Sequence, residues 1–72
     1  MKTVVDARGL ACPEPVLRAR KALAESDEVQ VIVDNDTAVE NIRRLAAHSG
    51  CTFSVTRTSG GWEIDLKRTA PA

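Results

Sequence analysis

The sequence predicts an α/β (α+β) two-layer sandwich in the order β-α-β-α-β-β, a mixed four-stranded sheet with two helices on one face. Three observations predict it. Two segments carry apolar residues at helical spacing, and each lies between β-branched runs. The turn Ser59-Gly60-Gly61 joins two alternating stretches at the C-terminal end as a tight hairpin. Strand–helix–strand crossovers are right-handed, so two in succession place both helices on the same side of the sheet.

Taken in order, Thr3 to Asp6 is short and β-branched, a first strand. Ala7 to Ala11 is a loop, with Gly9 available where the backbone needs a positive φ. Pro13 to Ala24 is a helix, with Cys12 as its N-cap and Pro13 as its first residue, because a first-turn amide has no intrahelical acceptor to lose. Val16, Ala19 and Leu23 share one face of it, flanked by Leu17 and Ala24, while Arg18 and Lys21 face solvent. Glu28 to Asp34 is the clearest strand: Val29, Val31 and Val33 lie on one side and Ile32 on the other, as in a central strand. The acidic turn Asp34-Asn35-Asp36 offers caps for a second helix, and Thr37 with Glu40 offers a capping box instead. That helix aligns Ala38, Val39, Ile42, Leu45 and Ala46, and Gly50 stops it. Cys51, Phe53 and Val55 alternate with Thr52, Ser54 and Thr56; Trp62, Ile64 and Leu66 alternate with Glu63, Asp65 and Lys67. Both sets of apolar positions should pack under the helices.

The chain has 72 residues, room for one domain (residues 1–72, ordered over about 3–68, with 69–72 a frayed tail). Ten basic residues balance ten acidic ones, whereas nucleic-acid binders normally carry a basic excess. No apolar run approaches the roughly 20 residues of a membrane span, and the N-terminus turns polar too early for a secretory signal. A cytoplasmic location is expected, where the two cysteines would remain thiols.

The most unusual local sequence surrounds one of those thiols: Gly9-Leu10-Ala11-Cys12-Pro13-Glu14-Pro15-Val16. Cysteine is a poor helix cap, so its presence at a helix start points to reactivity. A thiolate there gains from the positive end of the helix dipole, which lowers its pKa. Pro13 and Pro15 have no N–H, which leaves the Glu14 and Val16 amides as donors near the sulfur. Arg8 could add positive potential from the preceding loop, and Glu14 opposes the effect slightly or touches a partner. Asp34, Asn35 and Asp36 should lie at the same sheet edge, as helix caps or as a frame for approach to the thiol. His48, near the far end of the second helix, is too distant to serve as a general base. Cys12, Cys51 and His48 lack the paired ligand spacing of a zinc site, so no metal is expected. Cys51 reads as a core-facing strand residue.

The stretch Asp6 to Val16, with Arg20 and Lys21 beyond it, resembles the signature of the TusA/SirA-like sulfur-carrier family and its Cys-Pro-X-Pro motif. Val33 to Ile42 is more similar to the YedF-like branch, which is associated with selenium metabolism. The resemblance implies the same two-layer sandwich and a persulfide carried on Cys12. It implies no cofactor beyond that transient persulfide. Its partners would be a donor such as a cysteine desulfurase or rhodanese and a downstream acceptor protein. Two other classes are weighed against it. One is a redox-sensing or regulatory interaction module of the same fold. The other is an RNA-binding domain, which the neutral charge disfavours.

Overall fold

A computed structural model describes residues 2–11 and 13–68; the expected tail at 69–72 and the expected cap Cys12 fall outside these residues. The elements are β1 (Lys2–Asp6), α1 (Glu14–Glu25), β2 (Glu28–Val33), α2 (Asp36–Ser49), β3 (Cys51–Thr58) and β4 (Gly61–Arg68). The sheet order is β1-β2-β4-β3. β1 and β2 run parallel, and β4 is antiparallel to both β2 and β3. Three strands therefore point the same way, with β4 reversed between two of them. Both crossovers move in the same direction across the sheet, so crossovers of one hand put both helices on one face. There α1 packs against α2, as expected.

The core follows the alternation of the central strands. Val29, Val31 and Val33 of β2 and Ile64 and Leu66 of β4 are fully buried beneath Ala19, Leu23, Val39, Ile42 and Ala46 of the helices. Two expected faces are corrected. In α1 the buried line is Pro15, Ala19, Ala22 and Leu23, while Val16 is half-buried and Leu17 and Ala24 are exposed. The helix is turned so that Pro15 meets α2, which brings Asn35, Ala38 and Asn41 around it. In β3, Val55 is exposed although its neighbours Cys51 and Phe53 pack against the core. β3 is the sheet's outer strand, paired on one side only, and Val55 remains 39% exposed there. Arg57 on the same strand stacks its guanidinium 4.8 Å from the Trp62 ring centre.

The helix ends are specified locally. Asn35, rather than Asp34, Asp36 or Thr37, caps α2: its Oδ1 accepts the Ala38 amide at 2.8 Å. Gly50 closes the same helix in the left-handed region at φ 67°. The start of α1 departs from expectation. Pro13 occupies the N-cap at φ −101°, ψ 20°, and its carbonyl accepts the Leu17 amide, so the helix begins at Glu14. The Glu14 amide turns back to the Ala11 carbonyl at 2.9 Å, and that turn takes the place of a further helical residue. Pro15 then stands at the second helical position, where its missing N–H costs nothing.

Candidate functional site

Parallel strands deliver their following loops to one edge of the sheet, and that edge gathers three connections here. They are the loop from Ala7 to Pro13, the turn Asp34–Asn35, and the hairpin at Ser59 and Gly60. Their contact is direct. The Gly9 amide donates to Asp34 Oδ2 at 2.8 Å across 25 residues of sequence. The other Asp34 oxygen accepts Asn35 Nδ2 at 3.2 Å. The hairpin closes against the same turn through Gly61 (φ 144°), where a Cβ would lie 2.1 Å from the Val33 carbonyl oxygen.

The loop amides are spoken for in sequence. Ala7, whose side chain is buried, donates to the Ile32 carbonyl and so prolongs the β1–β2 pairing. Arg8 donates to Asp6 Oδ1, Gly9 to Asp34 Oδ2, and Leu10 to the Ala7 carbonyl. Gly9 takes φ 77° to make this possible, which a side chain would resist.

Arg8 is not the free cation the sequence suggested. Its Nε and terminal amine donate to the two Asp6 oxygens, each at 2.9 Å. The forked pair holds the Asp6 carboxyl down at about 2 from its ordinary 3.8 and raises the guanidinium correspondingly. Arg8 therefore brings a compensated charge to this edge. Glu14 is exposed and pairs with Arg18 at 3.5 Å along the helix. Its amide, expected near the sulfur, is engaged by Ala11. Asp36 is exposed in the first turn of α2, where its charge suits the helix dipole.

Pro13, Pro15, Leu10 and Val16 line a small cleft with Asn35, Ala38 and Asn41 of the second helix and its cap. It holds about 10 Å³, room for roughly one water molecule. A pocket for a small-molecule substrate needs some hundreds of Å³. The sequence points to Val16 for its core phase and its amide, but gives little reason to expect the Leu10 or Asn41 side chains at this cleft. The one signal for Asn41 was a polar side chain one position before buried Ile42.

The remaining candidates lie elsewhere. His48 is exposed in the last turn of α2, about 20 Å along the helix axis from Asn35 at 1.5 Å per residue. Cys51 is a free, half-buried thiol beginning β3 at the opposite edge, 3.8 Å from the Ser49 carbonyl. Among the described residues, no group of three His, Cys, Asp or Glu side chains could hold a metal ion. No helix among them is long and apolar enough to cross a membrane.

This arrangement defines a class of small two-layer α/β domain that presents one loop and one helix start at the edge of a mixed sheet. The chain belongs to the family described as Sulfurtransferase TusA, which it matches over residues 3–68. It is 43% identical over 68 residues to a protein of Methanocaldococcus jannaschii described as "Putative sulfur carrier protein", covering 89% of this chain and 91% of that one. A protein of Archaeoglobus fulgidus with the same description is 54% identical over 39 residues, about half of each chain. Among solved structures, the crystal structure of a SirA-like protein from Desulfitobacterium hafniense superposes with a TM-score of 0.85 at 36% identity. That superposition covers 93% of this chain and 96% of the other.

Proposed function

We propose that this chain is a sulfur carrier whose working group is the thiol of Cys12. The observation that carries the reading is that the family match spans both strands and helices that build the loop edge, where Ala11 and Pro13, the residues on either side of Cys12 in sequence, are found. The donor is a protein persulfide, held by a cysteine desulfurase or a rhodanese, and the recipient is a second protein. Cys12 thiolate attacks the terminal sulfur of the donor persulfide. The donor S–S bond breaks as the Cys12 S–S bond forms, and the electron pair of the broken bond leaves on the donor sulfur as a thiolate. The terminal sulfur keeps its own proton or loses it to solvent. In the second transfer an acceptor nucleophile attacks that same sulfur and Cys12 leaves as thiolate. Both steps are sulfane transfers, with no external oxidant or reductant.

The chain's small cleft agrees with this division of labour, since the reactants arrive on other proteins. A general base beside the thiol is then unnecessary, because the attacking group is the thiolate, formed by loss of the thiol proton to solvent. The reading includes no resident cofactor, and it suits a reducing compartment such as the cytoplasm. Selenium as cargo, the feature of the YedF-like branch, is a separate arm of the same assay.

The chain is incubated with a cysteine desulfurase, its cofactor and cysteine, then weighed intact. One sulfur should be gained, reversed by reductant, present in Cys51→Ser and missing in Cys12→Ser. A label on Cys51, or none with either class of donor, would favour the redox-sensing or regulatory module instead. Uptake only from a selenium donor would move the cargo to selenium.

A further inference from the structure

We propose that Asp34 is a positioning residue for the sulfur-accepting loop, holding it for a protein donor through the hydrogen bond from the Gly9 amide; this rests on the carrier reading. The sequence allowed Asp34 to be a helix cap, but Asn35 performs that task, so the Asp34 carboxylate is left for another role. Its two oxygens meet partners on opposite sides. Oδ2 takes the Gly9 amide three residues before Cys12, and Oδ1 takes the side chain that caps α2. The loop is thereby tied by a hydrogen bond to the turn that starts a 14-residue helix 25 residues further along the chain.

The anchoring end is rigid. Asp34 directly follows the fully buried Val33. The first residue of β4 presses so closely that a Cβ on Gly61 would come within 2.9 Å of the Asp34 Cα. Between Ala7 and Ala11 the described backbone hydrogen bonds besides that of Gly9 are the Ile32 carbonyl at Ala7, a local contact at Arg8, a 3.4 Å turn at Leu10, and the Glu14 amide on the Ala11 carbonyl. Leu10 also packs against the core beside the start of α2. The Gly9 bond is the one long-range hydrogen bond among those described for this loop beyond the strand end. A donor persulfide reacts only when its terminal sulfur is in line with the thiol, and small displacements of that geometry are costly.

The role is one of position, so the test separates the hydrogen bond from the charge. D34N keeps a side-chain oxygen for Gly9 and loses the negative charge; D34A loses both. Sulfur uptake from a desulfurase is timed for the wild type and the two variants. Alkylation of Cys12 by iodoacetamide, hydrogen exchange at Gly9 and thermal melts accompany it. D34A should slow uptake roughly ten- to a hundredfold, while D34N should stay within about fivefold because an amide oxygen accepts more weakly but still accepts. Alkylation should change by less than about twofold in either, since it reads the thiolate fraction and not presentation to a protein. Gly9 exchange should accelerate in D34A and remain slow in D34N, with Val31 and Ile64 protected in both.

D34N as slow as D34A would overturn the proposal in favour of a charge contact with the partner. D34A as fast as wild type would show that the loop position does not matter. Exposure of Val31 and Ile64 together with Gly9 in D34A would mean general destabilisation, and D34N uptake then decides: wild-type-like with a protected Gly9 supports positioning, slow overturns it. A wild-type chain that takes no sulfur removes the carrier reading itself, and Gly9 exchange then still decides whether the tie exists.

Discussion

Gly61→Ala should be among the most damaging single-methyl additions this chain can receive, and Gly60→Ala among the mildest. The two glycines are adjacent in the β3–β4 hairpin and differ in surroundings. At Gly61 the backbone sits at φ 144°, which side chains rarely adopt, and the added Cβ would meet the Val33 carbonyl oxygen at 2.1 Å and the Val33 carbonyl carbon at 3.1 Å. Both opposing atoms are backbone, in a strand whose other face pairs with β1, so neither can step aside cheaply. The unfavourable φ costs about 1–3 kcal/mol and the overlap about as much again. A chain of 72 residues has a total stability on the order of 4–11 kcal/mol, so the variant would forfeit a large share of it. At Gly60 the nearest atom is the tip of the flexible Arg8 side chain, 3.8 Å away, and the cost should stay within about 0.5 kcal/mol. Urea unfolding followed by far-ultraviolet circular dichroism measures both. Equal midpoints for the two variants would refute the reasoning, because it attributes the whole difference to contact with β2 and to φ.

Two further outcomes follow from the loop edge. Asp6 should titrate near 2 in the folded chain and return toward about 4 in Arg8→Met. Because its folded value is lowered, the stability contributed by the Asp6–Arg8 fork is present above the unfolded value of about 3.9 and is lost as pH falls from there through about 2; carboxyl resonances followed by NMR between pH 1 and 6 check it, and an unshifted Asp6 would sink the claim. On the carrier reading, Cys12 should ionise below the free-thiol value of about 8.5, and Cys12→Ser should leave the urea midpoint almost unchanged. Thiolate absorbance against pH in Cys51→Ser isolates that group, and a raised value would remove the argument for a primed nucleophile.

Much of the fold was legible because its central strands alternate cleanly. Val29, Val31 and Val33 could face only a core, and Ile64 and Leu66 repeat the pattern in the strand that pairs with them. Gly50 and the acidic turn marked the ends of α2 for equally local reasons. What the pattern missed depended on neighbours. Val55 has the right phase to be buried, but burial also requires something to lie over it, and Val55 sits on the sheet's outer strand, where it remains exposed. In α1 the helical spacing favoured Val16 with Leu17 at its flank, whereas the structure buries Pro15, beside Ala38 and Asn41 of α2, and Ala22, beside Thr3 and Val5 of β1, residues whose hydrophobicity is slight. The Gly9–Asp34 bond joins two turns that are each self-explanatory alone, so no local signal announces it.

The first turn of α1 also bears on how strongly a thiol beside it could be activated. Pro13 and Pro15 offer no N–H, and the Glu14 amide is spent on Ala11, so the usual cluster of free first-turn donors is thinned here. Arg8, the nearest candidate cation in sequence, is balanced by Asp6. What remains is the dipole of a 12-residue helix, with the exposed charge of Glu14 opposing it. The physical expectation is a modest depression of the thiol pKa, well short of the extremes reached in strongly oxidising active sites. For a carrier that is the useful range. The same sulfur must first act as nucleophile and then as leaving group, and lowering its pKa helps the second role while it weakens the first. A thiol tuned near ambient pH can do both at comparable rates. The Pro13-Glu14-Pro15 turn of this chain then reads as a way of supplying a helix end with few of its amides.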